Sequence, residues 1–252
     1  MPSYSNSAAG PWTVAVTPFP MDTVMRWSIL VDFDGTISLE DVIDSLLDKY
    51  GQPGWEALED QWRAGAIGSR ECMQGQARLL KLDPAELDAH LDQVQIDPDF
   101  AAFAAEAHRL GLPLQIVSDG LDYAIHRILA NHGLPPLPVV ANHLRWADGH
   151  WELESPYQAE KCRSGTCKCA IAALSRVYDA PRVLMIGDGA SDFCVSERAD
   201  YVFAKRRLVT HCGNAGIPHS PITTFAQATA LLPRLLDGSL VPSALPRIQA
   251  VA

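Results

Sequence analysis

The sequence predicts an α/β fold: a doubly wound, mostly parallel sheet with a small α-helical cap inserted after the first strand. Three observations predict it. Residues 27–33 form an apolar run rich in β-formers, residues from about 40 to 110 show helical periodicity, and strands alternate with helices after residue 110. This alternation is typical of parallel sheets covered by helices on both faces. We therefore expect a core domain at 27–38 and 111–240, interrupted by a cap at 39–110.

The elements follow in order from local patterns. The run WSILVDF at 27–33 ends before Gly35 and predicts a buried strand. In the cap, residues 42–50 place their apolar side chains on one helix face, and Asp83-Pro84-Ala85-Glu86 reads as a capping box that starts another helix. A further helix over 100–110 ends at Gly111.

The second half of the chain predicts the rest of the sheet. Strands are expected at 112–117, 138–144, 182–187 and 201–204, with helices over about 121–132 and 166–178 and further helices after residue 187. Asp148-Gly149 is typical of a two-residue hairpin turn, with Trp146 and Trp151 as a cross-strand pair.

Composition limits the classes of partner. The 252 residues carry a formal net charge of −10, and no segment is rich in lysine or arginine. Nucleic acids and anionic membranes are recognised by clustered positive charge, so neither is an expected partner. No apolar stretch approaches the roughly 18 residues that suggest a membrane span.

The ends of the chain and the cysteines indicate the compartment. Residues 1–26 lack an apolar signal-peptide core, and we expect them to form a poorly ordered extension. Residues 241–252 are expected to be a C-terminal tail. The six cysteines are expected to be reduced thiols, and the predicted location is the cytoplasm.

Acidic and hydroxyl side chains follow three predicted strands. Asp32 and Asp34 end the first strand, Ser118 and Gly120 follow the second, and Asp188 follows the strand at 182–187. Ligands of an open parallel sheet bind where the carboxyl ends of its strands meet. Asp32 and Asp34, two residues apart in extended chain, point to the same side. We therefore expect these groups to converge in one cleft.

Converging carboxylates predict a divalent cation. Asp192 lies one helical turn after Asp188, so up to four carboxylates share the cleft. Like charges at this separation repel unless a cation compensates them, and oxygen-only ligands favour Mg²⁺. Thr36 and Ser118 add hydroxyl groups at the same rim, and the glycines allow backbone N–H groups to approach a ligand closely.

The combined motifs resemble the haloacid dehalogenase superfamily. DFDGT at 32–36, Ser118 after a strand, a lysine opening a helix and GDGASD at 187–192 carry the resemblance, which covers about residues 27–237. It implies Asp32 as the nucleophile that forms an aspartyl-phosphate, and Asp34 as general acid and then base. An acid at position 34 is needed by phosphatases and not by dehalogenases.

The resemblance also implies the ligand sets. Asp32, the backbone carbonyl of Asp34, and Asp188 are expected to hold Mg²⁺, with Asp192 supporting them from the next turn. The phosphoryl group is expected to be bound by the side chains or N–H groups of Thr36, Ser118, Gly120 and a lysine.

Two lysines fit the third motif. Lys168 lies near the start of the helix that precedes the strand at 182–187, whereas Lys161 lies in a loop near Pro156. We favour Lys168, because a residue at the start of that helix can point back into the cleft and offset the carboxylate charge.

Within the superfamily, the closest resemblance is to the phosphoserine-phosphatase-like branch. An α-helical cap between the first two motifs and the GDGxSD pattern carry it. DFDGTISLED, GSRECM, SDGLDYAI, CRSGTCK and SDFCVSERADYVFAK further resemble 2-hydroxy-3-keto-5-methylthiopentenyl-1-phosphate phosphatases of methionine salvage and phosphocholine/phosphoethanolamine phosphatases. The expected partner is therefore a small phosphorylated metabolite. Asp41, nine positions after the nucleophile, and Arg70 in the cap are candidate substrate contacts.

Several alternatives stay open from the sequence. The substrate could be phosphoserine, phosphocholine or phosphoethanolamine in place of the methionine-salvage compound. A phosphotransferase or mutase uses the same motifs, and a non-catalytic binding module keeps the same fold. Cys162, Cys167 and Cys169 could bind zinc, although no second Cys or His pair follows at finger spacing, so local packing is favoured.

Overall fold

The computed structural model describes residues 26–240, and its centre is a seven-stranded sheet. The strands are β1 (Trp27–Val31), β2 (Leu114–Leu121), β3 (Val139–Ala147), β4 (His150–Glu154), β5 (Arg182–Gly187), β6 (Tyr201–Ala204) and β7 (His219–Pro221). Their order across the sheet is β4-β3-β2-β1-β5-β6-β7. β3 and β4 pair antiparallel, and the other neighbouring strands run parallel. The predicted α/β fold with a mostly parallel sheet is confirmed.

Ten α-helices connect and cover the strands in the described part of the chain. They are α1 (Val42–Tyr50), α2 (Trp55–Arg63), α3 (Ser69–Leu79), α4 (Pro84–Leu91), α5 (Phe100–Arg109), α6 (Asp122–Asn131), α7 (Lys168–Tyr178), α8 (Phe193–Ser196), α9 (Arg206–Ala215) and α10 (Phe225–Leu236). The first five follow one another between β1 and β2, which confirms the helical insertion after the first strand.

Strand β1 is buried on both of its faces. All five of its residues are buried, with Ile29 and Val31 in one hydrophobic cluster and Leu30 in a second one. Because neighbouring side chains in a strand point to opposite faces, this division places one core on each side of the sheet. The uniform apolar run in the sequence reflects this double burial.

The inserted helices pack on different partners. α2 packs against α3, and α3 also packs against β4. By contrast, α5 lies on α10, where the rings of Phe100 and Phe103 meet Phe225 at centroid distances of 4.9 and 5.1 Å. The division into a cap at 39–110 and a core therefore stays a prediction.

The predicted hairpin turn is present, and one strand was missed. Asp148 and Gly149 both have positive φ, at 49° and 81°, and Trp146 pairs with Trp151 across the two strands. β7 was not predicted because it has only three residues and ends in a proline. The predicted N-terminal extension, except Arg26, and the C-terminal tail lie outside the described residues.

Candidate active site

The carboxyl ends of β1, β2 and β5 meet at one edge of the sheet. β1 lies between the other two and pairs in parallel with both. As a result, Thr36 Oγ1 lies 3.4 Å from Asp188 Oδ1, and Ser118 Oγ donates to Asp34 Oδ2 over 3.3 Å. The structure thus brings together groups from the three strand ends named in the sequence analysis.

Lys168 lies at the centre of this cluster. It is the first residue of α7 and only 3% exposed. Its Nζ lies 2.8 Å from Asp32 Oδ1 and 2.7 Å from Asp192 Oδ1, and it also donates to Ser191 Oγ over 3.1 Å. Lys161, the alternative, is exposed. The geometry therefore agrees with the choice of Lys168.

Burial and charge act in opposite directions on Lys168 and Asp32. Burial lowers the pKa of the Lys168 ammonium, but the charges of Asp192 and Asp32 outweigh it and leave the pKa raised. Burial, and next the charge of Asp192, raise the pKa of Asp32 well above its usual value, although Lys168 opposes this. A buried ammonium is therefore the main compensation for these two carboxylates among the described side chains.

Asp34 is held by the start of the cap and by β2. Its Oδ1 accepts a hydrogen bond from the Val42 N–H at 3.0 Å, and its Oδ2 faces Ser118. Burial, with a contribution from Asp32, raises the pKa of Asp34 to about 7. Such a carboxyl can both give and take a proton near neutral pH.

Gly120 leaves room for the Asp34 carboxylate. Its N–H donates to Ser118 Oγ over 2.9 Å, and a Cβ at this position would overlap Asp34 Oδ2. A side chain here would therefore displace either Asp34 or the Ser118 hydroxyl. The glycine is explained by this close approach.

Three carboxylates form a site that fits a hard cation. One carboxylate oxygen from each of Asp32, Asp188 and Asp192 lies within 4.8 Å of the other two. Burial, followed by Asp192, raises the pKa of Asp188. All three potential ligand atoms are carboxylate oxygens, which is the type of donor that Mg²⁺ prefers.

Asp192 has a second task in this cluster. It is fully buried, its Oδ1 accepts from Lys168, and its Oδ2 accepts the N–H groups of Asp188 and Gly189 at 3.0 and 3.2 Å. These contacts hold the β5 loop that presents Asp188. The arrangement agrees with the predicted supporting position of Asp192.

A cavity of about 680 Å³ opens from the carboxylates toward the cap. Asp41, Ile43, Trp62 and Met73 line its cap side. Asp41 is also the N-cap of α1, with its Oδ1 accepting the N–H groups of residues 43 and 44. The cavity walls surround this carboxylate although solvent reaches it. Burial, and next the charge of Asp34, raise its pKa.

Arg70, the other candidate substrate contact, lies outside the cavity wall. Its guanidinium donates to Gln158 Oε1, and it is not among the residues that line the cavity. The sequence placed it only on the cap, which left the direction of its side chain open. Its contact with substrate stays a prediction.

Two residues of the site were missed by the sequence analysis. Arg206, which lines the cavity, places Nη1 3.6 Å from Asp188 Oδ2. Ser191 bonds Lys168 and lies 3.4 Å from Asp32 Oδ2. The signal for Arg206 was its place just after the carboxyl end of β6, the same edge of the sheet.

A fourth cysteine joins the three noted in the sequence. The thiols of Cys162 and Cys167 contact each other, and Cys169 contacts Cys194, which follows Asp192 by two residues. The only group of three metal-type ligands within 4.8 Å in residues 26–240 is the aspartate set.

Comparison with known proteins identifies the family. A family model described as haloacid dehalogenase-like hydrolase matches residues 29–197. The chain belongs to the haloacid dehalogenase-like hydrolase family. The predicted enzyme class, a phosphoric monoester hydrolase of this superfamily, is confirmed by the family match and by the relatives described next.

Curated relatives of this haloacid dehalogenase-like protein cover most of its length. It is similar to proteins named 2-hydroxy-3-keto-5-methylthiopentenyl-1-phosphate phosphatase from Exiguobacterium sp. and Geobacillus thermodenitrificans. The first is 28% identical, over 82% of this chain and 98% of the relative. The second is 30% identical, over 82% and 96%. The predicted branch of the superfamily is confirmed by these matches.

Solved structures share the fold. A haloacid dehalogenase family hydrolase from Salmonella enterica matches with a TM-score of 0.68 at 20% identity, covering 86% of this chain and 73% of that one. A phospho-aspartyl intermediate analogue of phosphoserine phosphatase matches with a TM-score of 0.58 at 21% identity, covering 74% of this chain and 90% of that one.

None of the helices within residues 26–240 combines the length and the apolar character that a membrane-spanning helix needs.

Proposed function

We propose that this protein hydrolyses a small phosphomonoester with Mg²⁺ as cofactor, through an aspartyl-phosphate on Asp32. One observation carries the proposal. Asp32 is buried beside the Lys168 ammonium at 2.8 Å, while Asp34, with a pKa of about 7, lies at the same strand end. A buried nucleophile beside a cation and an acid–base group is the arrangement that two-step phosphoryl transfer needs.

In the first step, a carboxylate oxygen of Asp32 attacks phosphorus, and the bond from phosphorus to the ester oxygen breaks. Asp34 donates its proton to that leaving oxygen. In the second step, Asp34 takes a proton from water as the water oxygen attacks phosphorus, which frees Asp32 and inorganic phosphate. Thr36, Ser118 and Gly120 are proposed to bind the phosphoryl oxygens.

The fit of Mg²⁺ rests on the oxygen set of Asp32, Asp188 and Asp192. The Asp34 carbonyl is proposed as a further ligand. When bound, the ion would offset the charge of the carboxylates and of the phosphoryl group. Lys168 supplies a fixed positive charge beside Asp32, which would stabilise negative charge that develops on the phosphoryl oxygens.

The substrate proposed first is 2-hydroxy-3-keto-5-methylthiopentenyl-1-phosphate. The names of the two relatives support it, and so does the cap side of the cavity. Ile43, Trp62 and Met73 present apolar surface there, which suits a methylthioalkyl group. The volume of about 680 Å³ suits a small metabolite.

A second candidate is phosphocholine or phosphoethanolamine. The observation that favours it is the acidic lining of the same cavity by Asp41, Asp44 and Glu59 beside Trp62. Carboxylates and an indole ring both attract an organic cation. Glu59 is already paired with Arg63 at 3.1 Å, so Asp41 and Asp44 would provide most of this attraction.

The test is phosphate release from a panel of these esters and phosphoserine, with Mg²⁺ and with EDTA. Asp44→Asn separates the two candidates, because it removes charge from the cavity without altering the apolar wall. We expect its kcat/KM to be unchanged on the methionine-salvage ester. A selective loss on phosphocholine would favour the second candidate. Release that requires an added acceptor would indicate a phosphotransferase, and a folded protein without turnover on any ester would contradict hydrolysis.

A further inference from the structure

Asp119 lies between the two proposed phosphate-binding positions of β2 and also lines the cavity, but its carboxylate is hydrogen-bonded to other segments of the chain. It is 8% exposed. The preceding residue, Ser118, hydrogen-bonds Asp34, and the following residue, Gly120, hydrogen-bonds Ser118. The Asp119 carboxylate instead contacts three other segments. Ser118 and Gly120 are therefore assigned to the phosphate site. The role of Asp119 has to be inferred from its own hydrogen bonds.

One carboxylate oxygen fixes the segment that leads to Lys168. Oδ1 accepts the Thr166 N–H at 2.9 Å and the Asn142 side-chain amide at 3.1 Å. Thr166 is buried two residues before Lys168, and its carbonyl accepts the Lys168 N–H at 3.1 Å. The position of the lysine backbone thus depends on this carboxylate.

The same segment packs closely against β3. A Cβ at Gly165 would overlap the amide of Asn142, a fully buried residue of β3. Asn142 in turn donates to the Asp119 carbonyl over 2.5 Å. Asp119 and Asn142 together form the polar surface against which residues 165–166 pack.

The other carboxylate oxygen reaches the cap. Oδ2 accepts the hydroxyl of Ser69, the first residue of α3, over 2.5 Å. Nearby, the Arg163 guanidinium donates to the carbonyls of Gly65 and Ala66 at 2.9 and 2.8 Å, and the Arg70 N–H donates to the Arg163 carbonyl at 3.2 Å. The segment that carries Lys168 is therefore tied to the α2–α3 turn.

We infer that Asp119 is a positioning residue that couples the seating of the cap to the placement of Lys168. This inference rests on the proposed function, because the lysine is assigned to the phosphoryl group there. Asp119 Oδ1 accepts from Thr166 in the segment that leads to Lys168, and Asp119 Oδ2 accepts from Ser69 in the cap. A substrate or metal contact by Asp119 would compete with the three donors that already occupy it.

Kinetics of Asp119→Ala and Asp119→Asn separate positioning from a direct charge effect. The alanine variant is expected to lose about 100-fold in kcat, the cost of a small misplacement of a catalytic group. The asparagine variant keeps an oxygen for Thr166 and can donate to Ser69, so its kcat should stay close to wild type. Ser69→Ala should raise KM with kcat retained. Equal damage by both substitutions at 119, or none by either, would overturn the inference.

Hydrogen exchange decides the coupling without relying on turnover. Asp119→Ala should speed exchange both at residues 65–70 and at residues 163–168, whereas Asp119→Asn should not. Asp60→Ala is the matched control, since Asp60 is exposed on α2 and its side chain has no described partner. Faster exchange in only one segment, or in neither, would overturn the inference. The expected exchange pattern in the two variants, found together with a wild-type protein that lacks phosphatase activity, would contradict the proposed function alone.

Discussion

Lys168 and Asp32 form an ion pair 2.8 Å long in which both side chains are at most 5% exposed. Burying two charges is costly, and a pair of this kind persists only when its geometry and remaining hydrogen bonds are satisfied. Here the backbone N–H of Phe33 also donates to the same Asp32 oxygen, at 2.8 Å. The pair places Lys168, and not Lys161, beside the proposed nucleophile.

Replacing Lys168 by methionine should remove both activity and stability. The neutral side chain leaves Asp32 and Asp192 buried without their cation, which should lower the free energy of unfolding by about 3–5 kcal/mol. Phosphate release and thermal unfolding measure the two effects, and circular dichroism at low temperature checks that the variant is folded. Lys161→Met is the control, expected to behave as wild type. Loss of activity in Lys161→Met instead would show that the wrong lysine was chosen.

Asp34 should give the reaction a pH dependence that varies with the leaving group. Since burial raises its pKa to about 7, the protonated acid is present below that pH and is lost as the pH rises through it. For an alkyl phosphate, kcat/KM should therefore fall above about pH 7. An ester such as p-nitrophenyl phosphate, whose leaving group is stable as an anion, should lack this fall.

Asp34→Asn checks the assignment. It should lower kcat on the alkyl ester by about 10²–10⁴-fold, the usual contribution of general acid–base catalysis, and abolish the pH difference between the two esters. An unchanged pH profile in this variant would show that another group carries the proton.

Magnesium should stabilise the wild type but not Asp188→Asn. Burial and neighbouring charge raise the pKa of Asp188, so its folded-state pKa lies above the unfolded value and its ionisation lowers stability at neutral pH. That loss diminishes as the pH falls below the raised pKa. Without metal, Asp188→Asn should therefore melt at or above the temperature of the wild type.

With Mg²⁺ at about 100 times its Kd, the wild type should gain about 2.7 kcal/mol. A chain of this size shifts by about 2–4 °C per kcal/mol, which differential scanning calorimetry resolves. Equal Mg²⁺ stabilisation of Asp188→Asn would place the ion elsewhere.

The sequence predicted the fold and the strand-end residues because both depend on local patterns. The burial of β1 on both faces of the sheet is visible in the sequence as an uninterrupted apolar run around Leu30. Parallel pairing brings the carboxyl ends of such strands together. The direction of side chains between distant segments is not visible in this way. Arg70 lies on α3 with its guanidinium directed to Gln158, which the sequence could not indicate. Arg206 was overlooked because its approach to Asp188 depends on how α9 begins.

The contacts between the cap and the segment that leads to Lys168 could not be predicted from the sequence either. Ser69, Asp119 and Thr166 are far apart along the chain, and each is an ordinary polar residue in its own window. They meet through the hydrogen bonds of Ser69 and Thr166 to the Asp119 carboxylate, with residue 165 packed against β3. Their contact required the three-dimensional structure.

The most direct test of the central claim is to trap the phosphoryl group on Asp32. Asp34→Asn, mixed with p-nitrophenyl phosphate and Mg²⁺ and quenched in acid, should form the acyl phosphate without protonating the leaving group and then fail to hydrolyse it. Peptide mass mapping is predicted to find the phosphoryl group on Asp32, and to find none after Asp32→Asn is added to the same variant. A phosphoryl group on another residue, or phosphate release by Asp32→Asn alone at the wild-type rate, would contradict the mechanism.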